Sequence, residues 1–413
     1  MNEKPRFYIE TLGCRVNQYE SRAMAEEFLS RGYLRADDAA DASVIVVNTC
    51  AVTAESERKS RQAVRRAADT GAKVIVAGCC PVTPDKLPPN VVCIGSARRK
   101  SGIADIAAGA EIKPAPEGYE SLKIGFFPDD TRSRAWIKIQ DGCPNHCSYC
   151  IIPLLRGPSR CRDSGDILDE VQRIARTGIK EVVLTGIEIS ANKELPQLIR
   201  RISEVNGIER IRLGSLDPRA LKNDLLDAFS QSEKFMPRLH ISLQSGSTRI
   251  LSLMKRGYTA EQASERIGET LVRLPRLLLS ADVITSFPGE TDGELDQTMT
   301  FLERFPFVHV HAFPFSPRRG TEAALMRETL SQAEKKQRNN RLISRCRVLR
   351  DRILDSLCGT FDELLVESCR EGHSRGMTRA GVETEVPGCA EVSELVRVRI
   401  NAADDGLLLA ERV

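Results

Sequence analysis

Asp141-Gly142-Cys143-Pro144-Asn145-His146-Cys147-Ser148-Tyr149-Cys150 sets three cysteines in a C-x3-C-x2-C spacing. These positions would share one face of a helix, but Gly142, Pro144 and Asn145 disfavour a helix there. The stretch is expected to be a loop that wraps three thiols around one centre. Thiolates suit iron–sulfur clusters and zinc. A structural zinc site wants four ligands, and His146, directly beside Cys147, is an awkward fourth. Three cysteines on a four-iron cluster leave one iron open to chelate a substrate or cofactor. Buried thiols and a zinc knuckle are the plainer alternatives.

Outward from this loop the chain alternates β-rich and helical patterns. Six strand candidates, Ala135–Gln140, Glu181–Thr185, Ile208–Leu213, Arg238–Leu243, Leu278–Ile284 and Val308–Phe313, are separated by helical stretches such as Ile167–Arg176, Ala220–Phe229, Ala260–Leu274 and Glu294–Phe305. Six βα units predict a partial (β/α)6 barrel rather than a full one of eight. Nearer the N-terminus three β-rich runs each end at a cysteine. Phe7–Gly13 ends at Cys14, Val44–Thr49 at Cys50 and Val74–Gly78 at Cys79, with helical patterns at Glu20–Arg31 and Ser56–Asp69 between them. This predicts a parallel α/β domain. Ligands bind outside the carboxyl ends of such strands, so the three thiols should converge on one sheet edge. A Pro- and Gly-punctuated stretch, 113–130, reads as a linker. From Gly359 onward short alternating strands (Glu363–Glu367, Gly381–Val386, Glu394–Ile400, Leu407–Glu411) predict a small antiparallel β-barrel. The expected domains are 1–112, 129–355 and 356–413.

The 413 residues suit two or three domains, and 41% hydrophobic with 28% charged residues is a core-forming composition. Global disorder, collagen and coiled coil are excluded. A net charge of +3 does not by itself point to nucleic acid. No apolar run reaches the ~18 residues of a membrane span, and Met1–Glu10 lacks the apolar core of an export signal. Thirteen cysteines, an odd number, argue against a disulfide framework and for thiols kept free in a reducing cytoplasm. Cys93, Cys161, Cys346, Cys358, Cys369 and Cys389 lack ligand spacing and read as ordinary thiols.

The run Asp141-Gly142-Cys143…Cys147-Ser148-Tyr149-Cys150-Ile151-Ile152-Pro153…Arg156-Gly157 resembles the radical S-adenosylmethionine (SAM) enzymes, in particular their methylthiotransferase family. Leu12-Gly13-Cys14, Asn48-Thr49-Cys50 and Ala77-Gly78-Cys79 resemble that family's settings for a second cluster. Leu184-Thr185-Gly186, Leu243–Ser247, Phe287–Thr291 and Phe313–Pro317 match in the expected order, and the C-terminal barrel resembles its TRAM domain. Cys80 stands where an aromatic is common, so Cys79 is the better ligand. Ser286 stands at a usual glycine position, and Glu188 where relatives carry another polar residue. Gly13-Cys14-Arg15-Val16-Asn17-Gln18-Tyr19-Glu20 is similar to the branch acting on N6-threonylcarbamoyladenosine at position 37 of transfer RNA.

The resemblance implies two [4Fe-4S] clusters, one on Cys143, Cys147 and Cys150 that cleaves SAM to a radical, and one on Cys14, Cys50 and Cys79 that carries the transferred sulfur. Both must face one cavity. Tyr149, Gly186, Glu188, Ser242 and Gln244 are the candidate SAM contacts. Carbon 2 of adenine is an unactivated C–H site, which calls for the radical route a cofactor supplies. The implied partners are the anticodon loop of tRNA, an electron donor protein and a sulfur source, with no membrane and a cytoplasmic location. The target base must be splayed out of its loop. Arg58, Lys59, Arg61, Arg65 and Arg66, and the segment 317–354 with eleven basic and four acidic residues, are candidate RNA surfaces beside the reading as solvated helix faces. The C-terminal barrel, with six Arg against eleven acids, is a poorer one. His309 and His311 share a strand face and read as polar lining rather than a metal pair. The same chemistry on isopentenyladenosine or a ribosomal protein, and a non-catalytic iron–sulfur RNA-binding or sensor protein, are the alternatives.

Overall fold

The computed structural model describes residues 4–79, 87–95, 97–114, 117–120, 122, 124 and 133–413. Cys80 and most of the stretch read as a linker lie outside them. Leu122 and Ile124, from that stretch, are buried against Tyr19 and Ala23, so this part of it is packed. The chain divides into two compact units. One holds residues 1–125, 138–162 and 316–324, and the other 126–137, 163–315 and 325–413.

The first unit is built on a parallel sheet. β1 (Arg6–Thr11), α1 (Arg15–Ser30), β2 (Leu34–Arg35), β3 (Val44–Thr49), α2 (Ala54–Asp69), β4 (Lys73–Gly78), β5 (Val91–Cys93) and the short α3 (Ile103–Ala107) follow in sequence. The sheet order is β2-β1-β3-β4-β5, every pairing parallel. β3 is central and buried along its whole length, which is why it reads as an unbroken Val/Ile run. The apolar stripe of α2 (Ala63, Val64, Ala67) packs on the sheet through Ile45, Val47, Val74 and Val76. Thr53 starts that helix by accepting the Ser56 amide.

β6 (Arg134–Lys138) runs from the second unit into the first. There β7 (Gln140–Asp141) precedes the cysteine loop, α4 (Ile152–Arg156) follows it, and β8 (Arg160–Cys161) returns to pair with β7. The cysteine loop is non-helical, as Gly142 and Pro144 predict.

The second unit continues with α5 (Ser164–Ala175), β9 (Glu181–Thr185), α6 (Leu195–Ser203), β10 (Arg210–Leu213), β11 (Ser215–Leu216), α7 (Asn223–Gln231), β12 (Arg238–Gln244), α8 (Thr248–Leu253), α9 (Ala260–Arg273), β13 (Leu278–Thr285), α10 (Asp292–Glu303) and β14 (Phe307–Pro314). Its strands form two sheets, β10-β9-β6 and β11-β12-β13-β14, with β9–β10, β11–β12, β12–β13 and β13–β14 paired in parallel. A single parallel bridge joins Ile211 to Phe235. Apolar faces such as Leu198, Ile199 and Ile202 of α6 supply the packing.

α11 (Gln332–Leu357) begins at a capping box between Ser331 and Glu334. It leads into β15 (Phe361–Arg370), β16 (His373–Thr378), β17 (Glu383–Pro387), β18 (Leu395–Asp404) and β19 (Leu407–Arg412), which close into a barrel in the order β15-β16-β17-β19-β18. Leu364, Val366, Val386, Val396 and Val398 fill it. Two of its thiols correct the sequence reading. Cys369 and Cys389 form a disulfide, with Cα atoms 5.5 Å apart. The hairpin β15–β16 carries the chain back so that residues twenty apart in sequence meet at bonding distance. Among the described residues no helix is long and apolar enough to cross a membrane.

Candidate functional site

The three strand-end cysteines are brought together in the first unit. Beyond β1 the chain stays against β3, the Leu12 amide donating to the Asn48 carbonyl at 2.9 Å. Gly13 then turns with φ +93°, and a Cβ there would lie 2.5 Å from Cys50 Cβ and 2.6 Å from its sulfur. Only glycine fits both demands. Gly78, also at φ +93°, does the same before Cys79, since its Cβ would lie 2.3 Å from the Thr49 carbonyl oxygen. The Cys79 amide donates to that carbonyl at 3.0 Å. Asn17 Nδ2 ties two strand ends by donating to the carbonyls of Leu12 and Thr49, each at 2.8 Å. Ser60 Oγ accepts the Cys50 amide and donates to its carbonyl, both at 2.9 Å.

Cys50 and Cys79 are buried and Cys14 is exposed. Burial, followed by the charges of Cys14 and Cys79, pushes the Cys50 thiol up. The three sulfurs therefore share one electrostatic neighbourhood. Such a set is poorly served as bare thiolates and well served by a cationic centre, which deprotonates its thiol ligands outright.

The second triad sits in a loop held by its backbone. Gln140 Nε2 donates to the carbonyls of Asp141 (2.9 Å) and Gly142 (2.7 Å) and to Ser159 Oγ (2.9 Å). The Cys143 amide donates to the Gly157 carbonyl at 3.2 Å, the Cys150 amide to the Cys147 carbonyl at 3.0 Å, and the Ala323 amide to the Ser148 carbonyl at 2.8 Å. Cys143, Cys147, Cys150 and Tyr149 are all half-buried. Among the described residues no group of three or more His, Cys, Asp or Glu side chains is placed to hold a single metal ion. The donor set of each triad is entirely thiol, which is what iron–sulfur clusters take, with each cysteine on its own iron. On donor chemistry the residues fit the clusters implied by the sequence.

A buried ion cluster lies against the triads. Arg156, fully buried, donates through Nε to Cys79 Sγ (3.2 Å), through Nη1 to Glu20 (3.0 Å) and Asp141 (2.9 Å), and through Nη2 to Asn17 Oδ1 (2.9 Å). Lys138 bridges Glu20 (2.7 Å) and Asp141 (2.8 Å), and Lys100 reaches Glu20 at 3.1 Å. Burial raises both carboxyls, but the cations outweigh it. Arg156, Lys100 and Lys138 hold Glu20 well below the carboxylate range, and Lys138 and Arg156 hold Asp141 down to about 2. Asp141 Oδ1 also accepts the Gly142 amide at 2.7 Å, one residue before Cys143. Sequence reasoning missed this cluster. Its one signal was that Asn17, Glu20, Asp141 and Arg156 all fall inside the strings that carry the family resemblance.

The other proposed SAM contacts lie in the second unit, at or just beyond carboxyl ends of parallel strands. Gly186 and Glu188 follow β9, and Ser242 and Gln244 end β12. Burial pushes the Glu188 carboxyl up against its bond from Ser190. Arg256 and Tyr258 donate to the Ser242 carbonyl at 2.9 and 3.2 Å. Gln244 (φ +67°) and Ser286 (φ +58°) both adopt left-handed backbone, at the ends of the adjacent strands β12 and β13. The positive φ explains why a glycine is usual where Ser286 stands, and two such residues at neighbouring strand ends mark strain of the kind stored at functional sites. The Ser286 hydroxyl is buried with no partner among the described residues, and its amide donates to Glu290 at 2.5 Å. His309 and His311 join a polar face with His240, which bonds Asp282 and Ser280, each at 3.0 Å. Burial, then His311, pushes His309 down to about 4.

Both basic surfaces are largely paired internally. On α2, Glu55 takes Arg58 and Lys59, Glu57 takes Arg61, and Glu10 takes Arg66. On the 317–354 segment Arg338 pairs with Asp292, Arg341 with Asp296, Arg345 with Glu303 and Arg318 with Glu57. Their fields are weaker than a count of the basic residues suggests.

Comparison with known proteins extends this geometry. Residues 137–302 match the model of the radical SAM superfamily, and residues 6–87 that of an uncharacterized protein family, UPF0004. The chain resembles in fold the radical SAM methyltransferase TsrM of Kitasatospora setae, a structure with cobalamin and a [4Fe-4S] cluster bound (TM-score 0.57, 13% identity, 78% of this chain and 77% of that one). This is the radical SAM α/β fold, with parallel sheets and a C-terminal antiparallel one. In sequence it is 34% identical over 379 residues to the threonylcarbamoyladenosine tRNA methylthiotransferase MtaB of Bacillus subtilis, covering 86% of this chain and 83% of that one. It is 31% identical over 398 residues to a tRNA-2-methylthio-N(6)-dimethylallyladenosine synthase of Pelobacter propionicus, covering 89% of each. The chain belongs to the radical SAM methylthiotransferase family and is an enzyme of that family. Membership implies SAM and a [4Fe-4S] cluster.

Proposed function

We propose that this enzyme transfers a methylthio group to C2 of N6-threonylcarbamoyladenosine at position 37 of tRNA, using two [4Fe-4S] clusters. We read residues 1–112 as the domain of the second cluster, 129–355 as a partial (β/α)6 barrel formed by the two parallel sheets, and 356–413 as a TRAM-like barrel. Cys143, Cys147 and Cys150 would hold the SAM-cleaving cluster, and Cys14, Cys50 and Cys79 the sulfur-delivering one. When bound, these groups supply a 5′-deoxyadenosyl radical from SAM and a sulfur that is methylated and transferred.

The protein's own part is to hold and exclude. Gly13, Gly78 and Gly142 let the backbone approach closely enough to present the six thiols. Asn17 fixes two strand ends with one amide. Tyr149, Gly186, Glu188, Ser242 and Gln244 are assigned to SAM, with the buried Glu188 carboxyl suited to its amino group. An electron donor, a sulfur source and tRNA complete the partners, and tRNA places the work in the cytoplasm.

One observation carries this reading. Two all-thiol triads occur in one unit, each framed by a glycine that no other residue can replace without moving backbone or a neighbouring cysteine. Anaerobic reconstitution with reductant and SAM tests it: 5′-deoxyadenosine is the expected product. Iron uptake without cleavage would instead favour a non-catalytic iron–sulfur protein.

A further inference from the structure

The charges around Arg156 do not cancel. Glu20 and Asp141 bring two negative charges, while Lys100, Lys138 and Arg156 bring three positive ones, and all five side chains are buried. Arg160, 3.7 Å from Asp141 at the rim, adds to the positive side. An uncompensated charge away from water is strongly unfavourable, so the surplus should face an anion. Four guanidinium bonds, two from Nη1 and two from Nη2, go to the carboxylates and to Asn17. The remaining donor, Nε, faces Cys79 Sγ at 3.2 Å.

The same segment reaches the other triad through its backbone. Gly157, next to Arg156, accepts the Cys143 amide, and Asp141, an acceptor of Arg156, takes the Gly142 amide. One buried side chain therefore registers both cysteine loops against each other within the first unit.

We propose that Arg156 is a positioning residue of the N-terminal centre: its N–H···S bond orients Cys79, and its charge raises the reduction potential of the iron–sulfur cluster carried by Cys14, Cys50 and Cys79. This rests on reading that triad as a cluster site. Hydrogen bonds to ligand sulfurs and local net charge are two of the levers that set such potentials. Reduction adds negative charge, so a cation fixed beside one ligand favours the reduced form.

The test uses the full chain carrying Cys143→Ala, Cys147→Ala and Cys150→Ala, so that only the N-terminal centre remains. Its potential is titrated anaerobically by electron paramagnetic resonance. Arg156→Gln should disfavour reduction at least tenfold, a shift of about −59 mV for one electron. Asp141→Asn, which keeps shape and an acceptor for Gly142, should shift the potential upward. Arg156→Lys keeps the charge among the acids without the Nε donor, and should fall between parent and Gln. It carries the test if the Gln variant does not fold. Opposite signs are what a merely structural role would not produce. Unchanged potentials, or shifts of one sign in all variants, would overturn the inference while leaving the cluster assignment intact. A parent with Arg156 present that takes up no iron would overturn both.

Discussion

A Cβ on Gly142 would lie 2.0 Å from the carbonyl oxygen of Pro158. The residue also sits at φ +71°, where an L side chain costs about 1–2 kcal/mol in backbone strain alone. Clash and strain act on the same peptide, immediately before Cys143. Gly142→Ala should therefore displace the second triad and leave the first in place. Iron and sulfide analysis of reconstituted protein should show about half the parent content, with circular dichroism unchanged. Full iron content would show that the loop tolerates the shift.

The two triads have separable roles in this account. Cys143→Ala should abolish SAM cleavage. Cys50→Ala should retain 5′-deoxyadenosine formation yet yield no methylthiolated product. Loss of both activities in both variants would remove the division of labour.

Lys138 bridges two buried carboxylates that lie over a hundred residues apart from each other in sequence. Lys138→Met removes a direct ion-pair partner from both Glu20 and Asp141, and breaking a buried pair from one side typically costs about 3–5 kcal/mol. Denaturant unfolding should show a large fall in midpoint for the first unit. A change below about 0.5 kcal/mol would mean that Arg156 and Lys100 suffice.

Glu290 gives the second unit a pH dependence of opposite sense to that of Asp141. Burial pushes its carboxyl from 4.5 up to about 7, outweighing the Ser286 amide and Arg338. The folded state holds a proton that the unfolded chain releases, so this contribution is complete below pH 4.5 and is lost as pH rises to about 7. The loss amounts to about 3 kcal/mol. Glu290→Gln keeps an acceptor for the Ser286 amide and removes the titration. It should raise the melting temperature at about pH 8 and leave it little changed near pH 5. Parallel melting profiles of the two proteins would contradict the assignment.

β3 and β4 were legible as compact β-branched runs, and the prediction for Glu181–Thr185 coincides with β9, whereas the two- and three-residue strands β2, β5 and β11 are too short to give a pattern. The non-helical cysteine loop followed from Gly142 and Pro144. β16 (His373–Thr378) went unread because its Ser, Arg, Gly and Thr give no apolar run, and with it went the approach of Cys369 to Cys389. α11 was taken as a basic stretch, since it buries only Lys335, Leu342, Leu349 and Leu354 over seven turns. The ion cluster was illegible for another reason. Glu20, Lys100, Lys138 and Arg156 look like surface charges one at a time, and only the fold brings together groups more than a hundred positions apart.

The modified nucleoside distinguishes the two substrate branches. Relatives of the threonylcarbamoyl and dimethylallyl types differ by only three percentage points of identity to this chain, so identity alone does not decide the substrate. Mass spectrometry of nucleosides from tRNA, in a strain lacking this gene and in the same strain with it restored, decides it directly. The methylthio form of N6-threonylcarbamoyladenosine should be lost and then regained. Its persistence in the deletion strain, or restoration only of methylthiolated isopentenyladenosine, would contradict the assignment of threonylcarbamoyladenosine as substrate.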